Sequence, residues 1–204
     1  STRIGFFAPN KLKAVAVTGG RAETICNLPA PVGRGASWSA SDVIVFAMAT
    51  DQPLYRVSAN RGEPTPVTTI DTTRKQSGHR FPVFLPDGTH FLYTALPQGS
   101  DGKFSIFAGD LSGGPSTFVA ALESGPVYAD PGWLLYARQG VLAARPFDLR
   151  TLKVTGDAGS LPDETTSLLD AVQSFTGGPS TSVSKSGSLA YFSAPATNTI
   201  ATWI

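Results

Sequence analysis

The sequence is poor in the residues that cross-link small domains or bind metals. Of its 204 residues, one is a cysteine, Cys26, and two are histidines, His79 and His90. A single cysteine can form neither an intrachain disulfide nor a cysteine-based zinc site. The two histidines lie on either side of a predicted turn and should point to opposite ends of one repeat unit. We therefore predict no bound metal and no cofactor.

An excess of charge of one sign is also missing. The chain has 16 Lys and Arg against 15 Asp and Glu, a formal net charge of +1. Without a strong overall field, neither nucleic acid nor an anionic membrane surface is an expected partner. No apolar run approaches the roughly 18 residues of a membrane span, and the first residues lack a signal-peptide pattern. Any targeting or anchoring segment is expected outside this chain.

Helical periodicity is nearly absent. The 21 glycines and 16 prolines interrupt the chain at short intervals and supply turns. Only Thr165 to Phe175 suggests a short helix. The remaining pattern is one of many short strands, which predicts an all-β fold.

Five apolar runs recur along the chain, and each ends in an aromatic residue. The aromatic positions follow one another at intervals of 39 to 56 residues: Phe7, Phe46, Tyr93, Tyr136 and Phe192. Such intervals surround the roughly 40–50 residues of one propeller blade. Each run is apolar on consecutive residues, as expected of a strand buried on both faces. The sequence predicts a β-propeller of four-stranded antiparallel blades.

The repeats divide the chain into blades without leaving a second domain. We predict a single domain over 1–204, with blade segments at approximately 1–29, 33–71, 78–123, 125–163 and 175–204. The chain opens on the second strand of a blade and closes on a third strand, so it should be a segment of a longer propeller. An open propeller exposes a blade face, which predicts possible self-association through that face.

The best-defined turn is Pro86-Asp87-Gly88, between the first and second strands of the third blade. Proline presets φ, the aspartate can bond the local backbone and the glycine tolerates a positive φ. We expect Gly88 at positive φ in a hairpin. This role explains Asp87 better than acid–base chemistry does.

Motifs for catalysis are missing. No Gly-x-Ser-x-Gly nucleophile motif occurs in the chain, and Gly33-Arg34-Gly35 lacks the third glycine of a dinucleotide-binding loop. Trp38 and Trp133 could stack on sugars, but their positions in predicted strands favour packing in the core. The sequence predicts no catalytic residue.

Long loops indicate where a ligand could bind. In a propeller, the loops between blades and between the second and third strands of a blade emerge on one face. The long segments all belong to this face, which we call the long-loop face. They are Pro29–Ala36, Asp71–His79, Pro97–Lys103 and Asp163–Gly178. One of them leads into Arg74, Lys75, His79 and Arg80, which we predict as the binding residues for an anionic partner. The alternative is a solvated rim without a ligand.

The order of motifs resembles that of a known family. The Pro-Asp-Gly turn after Gly78-His79-Arg80 resembles the repeats of TolB-like and WD-like propellers. The stretch 140–157, followed by the run 181–191, resembles the extracytoplasmic propeller of bacterial membrane-bound serine/threonine protein kinases.

This resemblance implies a non-catalytic sensor domain, extracytoplasmic and part of a membrane-anchored protein. It would bind protein, peptide or glycan through the long-loop face. The alternative is the substrate-gating propeller of a serine peptidase or another hydrolase.

Overall fold

The computed structural model describes residues 2–31, 33–97, 104–138, 141–160, 181–184, 188–193 and 200–203. These residues form five antiparallel sheets that follow one another in chain order. The predicted helix at Thr165–Phe175, the loop Asp163–Gly178 and most of the loop Pro97–Lys103 lie outside the described residues. Within the described part, no helix has the length and apolar character needed to cross a membrane.

The first sheet has three strands, and the second has four. The strands of the first sheet are β1 (Arg3–Ala8), β2 (Lys11–Ala16) and β3 (Glu23–Asn27). The strands of the second are β4 (Ala36–Trp38), β5 (Val43–Ala47), β6 (Leu54–Ser58) and β7 (Thr65–Pro66). In both sheets each strand pairs with the next one along the chain, so the sheets are simple meanders.

The third sheet is the largest continuous meander. It contains β8 (Gln76–Phe84), β9 (His90–Pro97), β10 (Phe104–Asp110) and β11 (Thr117–Leu122). A short 3₁₀ helix, Thr72–Arg74, precedes β8. This helix and the start of β8 shape the candidate site described below.

The fourth and fifth sheets complete the series. The fourth contains β12 (Val127–Ala129), β13 (Trp133–Arg138), β14 (Val141–Asp148), β15 (Lys153–Val154) and β16 (Gly159–Ser160). Both β15 and β16 pair with β14, so the outer strand of this sheet is formed by two short pieces. The fifth contains β17 (Thr181–Val183), β18 (Leu189–Ser193) and β19 (Ile200–Trp203).

The second strand of each central sheet is buried. Its successive side chains point to opposite faces of the sheet and therefore pack against different neighbouring sheets. In β5, Ile44 packs in the core shared with the first sheet, whereas Val45 packs in the core shared with the third. In β13, Leu134 and Leu135 divide in the same way between the third and fifth sheets. Four successive cores therefore join five blades face to face, and the predicted all-β propeller architecture is confirmed.

The strand β1 does not follow this burial pattern. It forms the edge of its sheet, and Ile4 and Phe6 are 54% and 36% exposed. One side of β1 faces Trp38, but no described strand covers the other side. The expectation that such strands are buried on both faces is therefore wrong for β1.

The hairpin between β8 and β9 has the predicted geometry. Gly88 has φ of 71°, and its amide donates to the carbonyl of Leu85 at 3.0 Å. The Asp87 carboxylate accepts hydrogen bonds from the amides of Thr89 and His90, each at 2.9 Å. The prediction of a positive φ at Gly88 is confirmed.

The two tryptophans that the sequence predicts in the core differ in their exposure to solvent. Trp38 is half-buried, its Nε1 donates to Asp42 at 3.1 Å, and the Arg3 guanidinium lies over its ring. Trp133 is 41% exposed. It is the first residue of β13, paired with Ala129 on β12 and with Pro146 on β14. The core interpretation is wrong for Trp133.

Candidate functional site

A tight turn precedes β8 and presents two basic side chains. Asp71 caps this rim turn (residues 71–75): its Oδ1 accepts from the amides of Thr73 at 3.0 Å and Arg74 at 3.3 Å. The Thr73 hydroxyl donates to the same oxygen and is the largest cause of the lowered pKa of Asp71. Lys75 ends the turn in the left-handed conformation, with φ of 54°. Arg74 and Lys75 therefore lie on a turn that hydrogen bonds to Asp71 stabilise, and both side chains are exposed to solvent.

The Arg74 side chain has a defined position despite its exposure. It is 58% exposed, and its Nε lies 3.2 Å from Oδ2 of Asp71. The guanidinium carbon is 5.7 Å from the centre of the Phe107 ring, within range of a cation–π interaction. One carboxylate and one aromatic face thus orient this cation while leaving part of it free for a ligand.

Two cavities meet at Arg74. The larger has a volume of about 590 Å³ and lies between the rim turn, β9, β10 and the glycine turn at residues 113–116. The smaller, of about 180 Å³, extends toward Leu96 and the half-exposed Phe118. Arg74, Gln76 and Phe107 line both cavities. We call this combined depression, with Arg74 at its centre, the Arg74 groove.

A buried chain of hydrogen bonds supports the rim turn from below. The amide of Asp71 donates to Oε1 of Gln76 at 2.9 Å, which identifies that oxygen as an acceptor. Nε2 of His79, 3.0 Å away, must then donate to it, so Nδ1 accepts from the Thr68 hydroxyl at 2.8 Å. Thr68 in turn accepts from the amide of Leu54 at 2.8 Å. The chain connects β6 to the rim turn and assigns a neutral His79.

His79 therefore lies in the core and not at the surface. It is fully buried, its ring centre is 4.6 Å from that of Tyr93, and burial lowers its pKa to about 4. The sequence suggested a loop that continued to His79, but β8 begins at Gln76. With both ring nitrogens bonded internally, His79 positions the rim turn and cannot contact a ligand at the long-loop face.

Arg80, the fourth predicted binding residue, lies apart from the Arg74 groove. It sits opposite Thr94 in the register of β8 and β9 and is only half-exposed. Burial, together with the charge of Arg34, lowers its pKa. The structure thus brings Arg74 and Lys75 together on one turn and places Arg80 beside an arginine of the preceding sheet.

The other histidine lies at the opposite, turn-bearing end of the third sheet. His90 Nδ1 is 2.6 Å from Asp87, and its Nε2 is 3.7 Å from Asp110. Over the residues that the structure describes, no cluster of three or more His, Cys, Asp or Glu side chains is suited to hold a metal ion. The contacts of His90 stabilise the hairpin and the adjacent turn.

Comparison with known proteins gives the fold. No protein-family model and no curated protein sequence matches the chain. Solved structures do match: TolB from Acinetobacter baumannii has a TM-score of 0.65 at 17% identity, covering 100% of this chain and 49% of TolB. The fold is that of a TolB-like β-propeller.

Two further solved structures share this TolB-like fold. Oligogalacturonate lyase in complex with manganese has a TM-score of 0.62 at 12% identity over 95% of this chain and 53% of the lyase. Puromycin hydrolase has a TM-score of 0.61 at 17% identity over 99% of this chain and 37% of the hydrolase. The chain spans about half the length of TolB and of the lyase. These likenesses concern the fold alone, since propellers carry many functions.

Proposed function

We propose that this chain is a non-catalytic, ligand-binding propeller segment and that the Arg74 groove is its binding site. The observation that carries the proposal is the position of Arg74, an exposed cation held over an aromatic ring between two cavities. Concave sites with a few oriented polar groups are the usual form of ligand sites. The groove would bind an anionic group of a protein, peptide or glycan.

The titratable groups of the groove support binding better than proton transfer. The Asp71 carboxylate is engaged by the rim turn and by Arg74. Burial raises the pKa of Tyr93 to about 12, so its hydroxyl keeps its proton at neutral pH. A general acid or base works best with a pKa near the working pH. Neither side chain meets that condition, which supports a role in recognition.

Within this proposal, the segment belongs to the extracytoplasmic sensor of a bacterial membrane-bound serine/threonine kinase. The succession of motifs over 140–157 and 181–191 supports it. The likeness to puromycin hydrolase supports the second candidate, a propeller that gates substrate access in a serine peptidase or another hydrolase. The complete open reading frame separates the two. A kinase domain and membrane helix favour the first, and an adjoining hydrolase domain favours the second.

The binding proposal is tested by screening peptide and glycan arrays with the wild type and with a variant carrying Arg74→Ala and Lys75→Ala. A matched control carries Arg21→Ala and Lys153→Ala, two exposed basic residues on other strands and loops. Spots that bind the wild type and the control but not the rim variant support the proposal. Arrays on which no spot binds the wild type, or on which all three proteins bind alike, argue against it.

Self-association through β1 is a further part of the proposal. The exposed side chains of Ile4 and Phe6 give this face an apolar surface that a second copy could cover. Light scattering over a range of concentrations measures the oligomer. A concentration-dependent dimer that Phe6→Ser weakens supports the proposal, whereas a monomer at all concentrations contradicts it.

A further inference from the structure

Arg34 and Arg80 occupy equivalent positions in two neighbouring sheets. They are separated by one repeat, from position 34 to position 80, and each lies at or just before the first strand of its sheet. Their backbones are tied together: the Phe81 amide donates to the Arg34 carbonyl at 3.0 Å. The Arg34 amide also donates to the carbonyl of Ala47 at 3.1 Å. The two arginines therefore meet at the joint between the second and third sheets.

The backbone at this joint has an unusual conformation that fixes both arginines. Gly35 has φ of 95°, and a Cβ there would lie 2.8 Å from the Cα of Phe81. Phe81 itself has φ of 50°, beside a register shift between Arg80 and Val83. Strained non-glycine residues persist where the surrounding structure holds them, and they are frequent at ligand sites. The close approach at Gly35 holds the backbones of the two arginines together, and the two side chains are near enough for the charge of Arg34 to act on Arg80.

Within the described part of the chain, this pair of arginines has no counter-charge. The Nε atoms of Arg34 and Arg80 are both buried, and neither has a hydrogen-bond partner among the residues that the structure describes. Among the described residues, no carboxylate lies within ion-pair distance of either guanidinium. A buried donor without an acceptor is destabilising, and two adjacent like charges add repulsion. A bound anion would remove both penalties at once.

We propose that Arg34 and Arg80 together form a binding site for a divalent oxyanion, a phosphate or sulfate group. Two guanidinium groups carry two positive charges, which one dianion balances and one carboxylate does not. Arginine forks match the oxygens of such groups geometrically. The site goes beyond the proposed function, since it involves neither Arg74 nor the groove. It also differs from a nucleotide loop, because Gly33-Arg34-Gly35 leads into the strand β4 and not into a helix.

The test is calorimetric titration of the full chain with inorganic phosphate and with sulfate. Sodium chloride at equal ionic strength controls for screening, and acetate serves as a monovalent oxyanion. The wild type should bind phosphate or sulfate more tightly than acetate. Arg34→Gln and Arg80→Gln should each weaken this binding roughly 10- to 100-fold, the loss expected for one charged hydrogen-bond partner. Arg21→Gln, an exposed arginine elsewhere, should bind like the wild type.

Thermal unfolding in anion-free buffer shows whether the variants fold. Arg80→Gln should be no less stable than the wild type there, because it removes repulsion, and a given concentration of phosphate should raise the melting temperature of the wild type more than that of either variant. A phosphate monoester such as glucose phosphate distinguishes the two possible sources of the anion, an esterified phosphate group and a free ion. Tighter binding than inorganic phosphate indicates an esterified group, and equal binding a free ion. If a variant fails to fold, the wild-type titration still decides. Acetate binding as tight as phosphate, or no heat beyond the chloride control, overturns the proposal.

Discussion

The buried His79 makes the stability of the protein depend on pH in a calculable way. Its pKa is about 4 in the folded protein, against 6.5 for an unperturbed histidine. Between these two values the unfolded chain binds a proton that the folded chain does not. The contribution of neutral His79 is therefore fully present above about pH 6.5 and is lost as the pH falls toward 4.

The size of the effect follows from the shift. A full shift of this size corresponds to about 3 kcal/mol of unfolding free energy, since each pKa unit is worth about 1.4 kcal/mol. Between about pH 7 and pH 5 the loss should be about 2 kcal/mol. Tyr93, which packs on the ring, has a pKa of about 12 and stays neutral over this interval. Thr68 and Gln76, the hydrogen-bond partners, do not titrate.

The assay is urea unfolding followed by tryptophan fluorescence at several pH values over that interval. The perturbation is His79→Gln, which cannot take up a proton and should reduce the pH dependence by the share that His79 contributes. The control His90→Gln keeps His79 and should retain that share. A wild-type unfolding free energy that does not fall toward pH 5, or a His79→Gln variant with the same slope as the wild type, would refute the buried neutral assignment.

Two further predictions concern glycines. A methyl group at Gly78 would overlap the carbonyl oxygen of Thr50, so Gly78→Ala should destabilise the protein by about 1–3 kcal/mol, whereas Gly114→Ala, with room around it, should change little. At Gly88 the surroundings are open and only the backbone opposes a side chain, so Gly88→Val should cost about 1–2 kcal/mol and Gly88→Asn less. Urea unfolding measures both pairs, and equal stabilities within either pair contradict the corresponding geometry.

The sequence predicted the propeller because its burial pattern is local. Consecutive apolar residues in β5 and β13 pack on opposite sides of one strand, and that pattern can be recognised without the fold. The hairpin at Gly88 was predictable for the same reason, since turn chemistry depends on adjacent residues. The exposure of Trp133 was not predictable, because it depends on which residues the two neighbouring strands place beside the first position of β13.

The candidate site was only partly predictable. The rim turn carries Arg74 and Lys75 in a loop, and loops are visible in sequence. The walls of the groove come from β9, β10 and the turn at 113–116, and their convergence depends on the angle between sheets. His79 was misplaced because the start of β8 is set by the Gln76 hydrogen bonds. Arg34 could have been identified from its spacing of one repeat from Arg80.

The central claim, that the Arg74 groove binds an anionic ligand, is tested most directly by titrating the best ligand from the arrays. Calorimetry compares the wild type, the variant with Arg74→Ala and Lys75→Ala, and the control with Arg21→Ala and Lys153→Ala, each at low and high salt. We expect the rim variant to keep a melting temperature close to that of the wild type, since exposed charges contribute about 0–1 kcal/mol to stability. Its affinity should fall roughly tenfold or more, and the wild-type affinity should weaken with salt while the control matches the wild type. Equal affinities of all three proteins at both salt concentrations would contradict the claim.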